Sequence, residues 1–137
     1  MPTDLAHSLS TLPAFLAYFG LALGVTAVFV VIYLWITPHD EMRLIRENKE
    51  AASISFIGAL LGFIIPVATA TAQSVSWLDC LIWSFVALVV QALTFLVVHW
   101  FLPHISEEIS NDERAPALFL AGISIGVGIL NAASMTY

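Results

Sequence analysis

The sequence predicts an all-α integral membrane protein, a four-helix bundle made of two tandem two-helix repeats. Three observations predict this fold class. Charged residues make up 10% of the 137-residue chain, whereas a soluble domain carries about 25%, and 60% of the residues are hydrophobic. The charges cluster in short segments and leave four long uncharged stretches between them. The two halves of the chain also share residues at a nearly constant offset.

Each uncharged stretch is long enough to cross a bilayer as one helix. A hydrocarbon core of about 30 Å needs roughly 20 helical residues, and the stretches hold 22 to 24 residues each. A charge at the centre of a spanning helix costs about 2.5–3.5 kcal/mol, and none of the stretches contains one. The predicted spans are residues 14–37, 51–72, 80–102 and 115–137.

The first span is predicted to be a retained helix and not a signal peptide. No Lys or Arg precedes Arg43, and the apolar run is longer than the apolar core of a signal peptide. After this span, Thr37–Asp40 is typical of a capping box with proline at the first helical position. In the loop after the third span, Ile105 and Ile109 are spaced to share a helical face. These patterns predict short interfacial helices in both loops, with plain solvated loops as the alternative.

The other spans carry further local signals. Ser76 and Asp79 form a second capping-box pattern, which predicts that the third helix starts near Trp77. Pro66 lies inside the second span and is expected to kink it.

Glycine pairs spaced four residues apart occur in three spans. Because lipid supplies no hydrophobic driving force between helices, such small residues favour close helix packing. We expect these contacts within one chain rather than between copies, and chance spacing is a further alternative for the first pair. The pairs are Gly20/Gly24, Gly58/Gly62 and Gly122/Gly126.

The predicted repeats cover residues 14–73 and 79–137, within a single transmembrane domain of residues 1–137. At an offset of 65 a tryptophan, a proline and a histidine recur, which pairs Trp35, Pro38 and His39 with Trp100, Pro103 and His104. At an offset of 64 the glycine pair of the second span meets that of the fourth. Chance similarity between apolar helices is the alternative. Two spans per repeat give both copies the same orientation in the membrane.

The basic residues predict that orientation. All four Lys and Arg residues lie in the loops 38–50 and 103–114, which the positive-inside rule places in the cytoplasm. Both termini are then expected in the periplasm.

Several polar side chains lie within or beside the spans. Thr26 and Gln91 fall near the midplane, and Asn131 lies toward the outer end of the fourth span. They are candidates for holding a small polar ligand or water, but hydrogen bonds between helices, worth about 0.6 kcal/mol each, are favoured. Three histidines lie near the inner ends of the spans. One, within the third span, is a candidate for a haem or proton-relay site but has no titratable partner within a span. The other two are related by the repeat and could approach each other to hold a metal ion, but positions without a special role are favoured. These histidines are His39, His99 and His104.

Composition argues against several classes of function. A net charge of −6 with four Lys and Arg residues argues against nucleic-acid binding. A single cysteine, Cys80, excludes an internal disulfide and a cysteine-based zinc site. The spans hold no carboxylate for a proton-coupled carrier and no catalytic motif, so the sequence predicts neither an enzyme nor a bound cofactor or metal.

Three runs of sequence resemble a known bacterial family. The runs are Tyr33–Asn48, Ala59–Pro66 and Ala121–Met135. With these runs the chain resembles, over both halves, the YjfL-like inner-membrane proteins, domain of unknown function 350. The resemblance implies a bacterial inner-membrane location, four spans in two repeats and no known catalytic residues.

The family pattern also bears on two loop positions. Members often carry Gly-Asn before each even-numbered span, where this chain has Asn48-Lys49 and Asp112-Glu113. Members are commonly encoded near envelope-stress proteins and ATP-grasp ligases, which implies a membrane partner for cytoplasmic machinery.

The sequence and the resemblance leave three functions open. The leading hypothesis is a non-enzymatic scaffold that sits in the lipid bilayer and presents acidic loops to a cytoplasmic or peripheral, envelope-stress-type protein. The alternative is a subunit of a homo-oligomeric channel or small passive transporter, with the midplane polar residues along its path. An enzyme acting on lipid has only the interfacial histidines in its favour.

Overall fold

Seven helices make up the part of the chain that the computed structural model describes, residues 2–135, with side chains from residue 4 onward. This part contains no strand. The helices are α1 (Pro2–Ser10), α2 (Leu12–Ile36), α3 (Glu41–Arg46), α4 (Glu50–Gln73), α5 (Trp77–Phe101), α6 (Ile105–Ser110) and α7 (Arg114–Ser134).

Four of these helices, α2, α4, α5 and α7, are long and apolar enough to cross a membrane. α1 runs on into α2, so that Asp4–Ile36 is one 33-residue candidate span. The prediction of an all-helical protein with four candidate spans is confirmed. Large apolar side chains cover the outward faces of these helices, as contact with a lipid bilayer requires.

Local hydrogen bonds set where the helices begin. The prediction of a capping box over Thr37–Asp40 is wrong in register, because α3 begins at Glu41 and Asp40 accepts the Arg43 amide hydrogen at 3.2 Å. Thr37 instead ends α2, and its hydroxyl donates to the Tyr33 carbonyl oxygen at 3.0 Å. At the start of α5 the predicted cap is confirmed, since the Ser76 hydroxyl oxygen accepts the Asp79 amide hydrogen at 3.2 Å.

The short helices α3 and α6 end in the same hydrogen-bond pattern. The amides of Asn48 and Lys49 donate to Ile45 and Leu44, and those of Asp112 and Glu113 donate to Ile109 and Glu108. Asn48 and Asp112 have φ of 65° and 62°, the left-handed conformation that glycine favours at a helix end and that Asn and Asp tolerate. Both short helices of this chain therefore end in a left-handed turn.

α4 is the central helix, and its closest partner is α7. A methyl group at Gly58 would collide with Ala121, and a methyl group at Gly62 would collide with the backbone of Ser124. Gly128 on α7 lies equally close to the backbone of Gly62. The two helices therefore touch backbone to backbone, which only glycine allows at these points.

α2 lies at the periphery and packs mainly through its C-terminal half. The Phe29 ring stacks on Phe63 of α4 with centroids 4.3 Å apart, and Tyr33 meets Phe95 of α5 edge-on at 5.9 Å. Phe29 and Tyr33 are the buried residues of this helix among those described. Toward its start, Phe15 and Phe19 are more than half exposed. The aromatic contacts thus attach α2 close to the end where α3 begins.

Candidate functional site

The two loops 37–49 and 102–113 lie at the same end of the bundle and form an open cleft with a volume of about 370 Å³. The segment after α2 lies on one side and α6 lies on the other. The cleft is lined by Pro38, His39, Ser106, Glu107, Ser110 and Asn111. No Lys or Arg lines it, and Glu107 is the one acidic residue among the lining residues.

His39 forms a buried pair with Glu41 beside this cleft. The Nε2 atom of His39 lies 2.7 Å from Oε1 of Glu41, and the two side chains are 2% and 0% exposed. The Ser55 hydroxyl of α4 lies 3.4 Å from the same carboxylate oxygen. A buried carboxylate is destabilising unless it is paired and hydrogen-bonded. These contacts therefore hold the first residue of α3 against α4.

Four buried polar atoms around this pair form no hydrogen bond of standard geometry among the described residues. They are the Nδ1 atom of His39, the Ser106 hydroxyl, the second carboxylate oxygen of Glu41 and the Tyr33 hydroxyl, although the Tyr33 hydroxyl and the Glu41 carboxylate also interact with each other. Nearly all buried polar groups in proteins are paired with protein or with ordered water.

The structure separates the three histidines named from the sequence. His39 is buried in the cleft wall, whereas His104 is exposed and its Nδ1 lies 3.8 Å from a Glu107 carboxylate oxygen. His99 stacks on Phe95 with centroids 6.0 Å apart, and its buried Nδ1 has no partner among the described residues. No group of three or more His, Cys, Asp or Glu side chains suited to a metal ion occurs in the described part of the chain.

Sequence reasoning missed four members of the cluster: Tyr33, Glu41, Ser55 and Ser106. Glu41 belongs to a charged loop, and such residues are usually solvated. Its burial depends on α4, which supplies Ser55 from 14 positions away. The one local signal was Asp40, whose side-chain cap sets the start of α3 and so the direction of Glu41.

Gln91 lies at the centre of the bundle and joins three helices. Its Nε2 donates to the carbonyl oxygens of Gly62 and Ser124, both at 3.1 Å. The Gly62 carbonyl would normally accept the amide hydrogen four residues later, but that residue is Pro66, which has none. Gln91 therefore replaces a hydrogen bond that the proline removes from α4.

The other midplane candidates do not join Gln91. The Thr26 hydroxyl donates to the Ala22 carbonyl oxygen of its own helix at 2.7 Å. Asn131 has a buried side-chain nitrogen without a partner among the described residues. No hydrogen bond between these residues and Gln91 is present in the described structure.

The three glycine pairs differ in whether they contact another helix of the chain. Gly58 and Gly62 contact α7, whereas methyl groups at Gly20, Gly24, Gly122 or Gly126 would meet no atom within 4 Å. These four glycines face outward, so the sequence-based expectation that they pack against other helices of the same chain is not met. The sequence offset that pairs these glycines does not predict their packing, because α4 contacts α7 through Gly58 and Gly62 whereas α7 contacts α4 through Ala121, Ser124 and Gly128.

The two loops are bonded to each other as well as to the core. The Asp112 carboxylate accepts the Ala51 amide hydrogen at 2.9 Å and so caps the start of α4 from the other loop. The exposed Arg114 guanidinium lies 3.2 Å from Glu50, a contact that solvent weakens. Three buried apolar side chains anchor the short helices: Leu44, Ile105 and Ile109.

Comparison with known proteins gives a family match over most of the chain. Residues 7–135 match the family model described as Domain of Unknown Function (DUF350). The chain is 42% identical over 131 residues to the UPF0719 inner membrane protein YjfL of Escherichia coli strain K12, covering 96% of this chain and 99% of that protein. It is 23% identical over 121 residues to the UPF0719 transmembrane protein YshE of Bacillus subtilis strain 168, covering 87% and 90%. No solved structure matches the chain.

Proposed function

The chain belongs to the DUF350 family and is a multi-pass inner membrane protein, and we propose that it acts as a non-enzymatic scaffold. The loops that contain α3 and α6 present a preformed surface to a cytoplasmic or peripheral protein of the envelope-stress type. The observation that carries this proposal is the tertiary bonding of these loops, which are joined through Asp112 and Ala51 and anchored by buried side chains.

The outward side of the same loops supports a protein-binding role. The Glu107 side chain is 80% exposed, and Glu47 and Glu113 are exposed as well. A surface whose backbone is fixed before binding loses less conformational entropy when a partner docks. Acidic side chains on such a surface favour a partner with a basic face.

A duplicated helical hairpin accounts for the matching positions of the helices in the two halves of the chain. α3 and α6 begin 64 residues apart, as do α4 and α7, whereas α2 and α5 begin 65 residues apart. The matching left-handed turns at Asn48 and Asp112 also keep the offset of 64. Because α3 and α6 begin within five residues of the ends of α2 and α5, we infer that both lie at the membrane interface.

We further propose that the loops face the cytoplasm and both termini face the periplasm, as the basic residues indicate. Labelling single cysteines in a Cys80→Ala background with a membrane-impermeant maleimide tests this orientation. In intact spheroplasts, Val75→Cys, at a 92% exposed position in the opposite turn, should react. Asn111→Cys, also exposed, should react only after permeabilisation. The reverse pattern would place the proposed docking surface outside the cell.

Neutralising the loop carboxylates should weaken capture of the partner. We expect in-cell crosslinking of the triple variant Glu107→Gln, Glu108→Gln, Glu113→Gln to recover about tenfold less partner, since tenfold corresponds to 1.4 kcal/mol shared among three charges. The control variant Asp4→Asn, Asp79→Asn neutralises acidic residues at the other end of the bundle and should recover as much partner as the wild type. Equal recovery with all variants would contradict the scaffold proposal.

Self-assembly into a channel or passive transporter is the second candidate function, favoured by the outward glycines. Gly122 and Gly126 lie in a shallow apolar groove of about 430 Å³ on α7. Small residues on a lipid-facing surface allow a helix of a second copy to approach closely. Since Gln91 is engaged in packing, a path through such an assembly would lie between copies.

The native mass of the complex in gentle detergent tests this second candidate. Self-assembly predicts that the wild-type complex contains two or more copies of the 14.9 kDa chain. It predicts a monomer for the double variant Gly122→Leu, Gly126→Leu. The variant Ile129→Leu, on the same face, serves as a control and should keep the wild-type mass. A monomeric wild-type protein would remove this candidate.

A further inference from the structure

A stripe of large apolar side chains runs along α1 and the first half of α2. Its members recur at alternating intervals of four and three residues, which is the spacing of the core positions of a coiled coil. Each of these side chains is between 48% and 63% exposed, so none is covered by the rest of the chain. This heptad seam consists of Leu5, Leu9, Leu12, Leu16, Phe19 and Leu23.

We propose that the heptad seam packs against the heptad seam of a second copy of this chain as a parallel two-stranded coiled coil. Copies that insert into the membrane in the same orientation pair their spanning helices in parallel, and one seam on each copy gives a closed two-fold contact. This inference is independent of both proposed functions, because it uses neither the loops around α3 and α6 nor the glycines of α7.

The first part of the seam lies beyond the hydrocarbon of the bilayer. α2 alone has 25 residues, as many as α5, and α1 adds nine more at the end away from α3. At about 1.5 Å per residue, α2 by itself already exceeds a hydrocarbon core of about 30 Å. The backbone of Thr11, with φ of −87° and ψ of −9°, stays in the right-handed helical region, so α1 joins α2 without a loop. Lipid tails that cover α2 therefore do not extend to Leu5 and Leu9.

The surroundings of the seam suit a helix of a second copy. Most of α1 outside the seam is polar, and its charged residue Asp4 and its histidine His7 fall at positions away from the seam. The positions directly beside the seam carry no charge, so a parallel pair brings no like charges together there. Pro13 falls in the first turn of α2, where proline is tolerated. The flanking residues are Ala6, Ser8, Pro13, Phe15, Gly20 and Ala22.

The last part of the seam borders a groove between α2 and α4. Phe19 and Leu23 line this groove, which has a volume of about 410 Å³, and Ile64 and Val67 of α4 lie across it. A methyl group at Gly20 would meet no atom within 4 Å, so the chain leaves room for a neighbour beside the seam. A helix that follows the seam into the bilayer would therefore meet an open apolar surface instead of a packed one.

Disulfide formation between copies in native membranes tests this contact. Single cysteines are introduced into a Cys80→Ala background, and the membranes are oxidised with copper phenanthroline. Leu5→Cys, Leu9→Cys and Leu12→Cys, on the seam, should each give a disulfide-linked dimer. The matched controls His7→Cys and Ala14→Cys lie on the far side of the same helices and should give none. In a coiled coil those positions are separated by more than a helix diameter of about 10 Å, whereas a disulfide needs Cα atoms within about 7 Å.

Charged substitutions make the test specific to the seam. Leu5→Glu with Leu9→Glu would place unpaired carboxylates in the contact and should reduce the dimer formed by Leu12→Cys about tenfold or more. His7→Glu with Ser10→Glu adds the same charge off the seam and should leave that dimer unchanged, as should Gly122→Leu with Gly126→Leu. The proposal would be overturned if seam and control cysteines crosslink equally, if no position crosslinks because lipid covers the seam, or if the glutamates on the seam have no effect.

Discussion

Replacing Gly62 by alanine should lower the free energy of unfolding by about 1–3 kcal/mol, the range for overpacking a well-packed core. The added methyl group would collide with the Ser124 carbonyl and would lie 2.8 Å from the Gln91 amide nitrogen. A helix backbone cannot rotate away as a flexible side chain can, so α4 and α7 must move apart. Chemical unfolding in micelles, followed by circular dichroism, measures this loss.

Gly126 provides the matched control for Gly62, because the two are equivalent in the proposed repeat. A methyl group at Gly126 would meet no atom within 4 Å. Gly126→Ala should therefore be neutral or stabilising by up to about 1 kcal/mol, since alanine favours helix more than glycine does. Equal destabilisation by both substitutions would show that the outward position of Gly126 is wrong.

Replacing Gln91 by leucine should cost about 1–3 kcal/mol, the penalty for leaving a buried acceptor unpaired. The Gly62 carbonyl has no amide donor from position 66, so it would lose its partner when the Gln91 side chain is removed. Leucine has a similar volume, so loss of packing is a small part of the effect. Thr26→Val serves as a control and should change stability little, because the Thr26 hydroxyl bonds only within its own helix.

A double-mutant cycle with Pro66→Ala measures the energetic coupling between Gln91 and Pro66. Alanine at position 66 supplies an amide hydrogen that can donate to the Gly62 carbonyl along α4. The double variant Gln91→Leu, Pro66→Ala should therefore be less destabilised than the sum of the single variants. Strict additivity would contradict the view that Gln91 compensates for the proline.

Much of the fold could be predicted because local sequence determined it. Ser76 and Asp79 are three residues apart, and their cap forms at the start of α5 as the pattern indicates. The cap predicted at Thr37 failed because two overlapping helix ends compete there, and Asp40 rather than Thr37 caps α3. A pattern that allows two registers is resolved only by the packing of the helix that follows.

The candidate site was predicted only in part. His39 was named from its position, but its partner Glu41 and the hydroxyl of Ser55 were not. Of the polar residues within the spans, Gln91 forms the interhelical hydrogen bonds that were favoured, while Thr26 bonds within its own helix. Composition and spacing cannot distinguish these two environments, since both residues fall near the midplane of an apolar helix.

The amino-acid sequence alone is enough to predict four helices able to span a membrane, with the charges gathered in the connecting segments. Hydrocarbon excludes charge and sets the length of a spanning helix, so composition along the chain is sufficient for that conclusion. The packing of Gly62 against α7, the outward position of Gly126 and the burial of Glu41 are visible only in the folded protein. Those outcomes depend on contacts across many residues, such as the 33 that separate Gln91 from Ser124. These outcomes depend on which helix faces meet. The sequence does not reveal this, because apolar side chains are favoured both on a face that contacts lipid and on a face that contacts another helix.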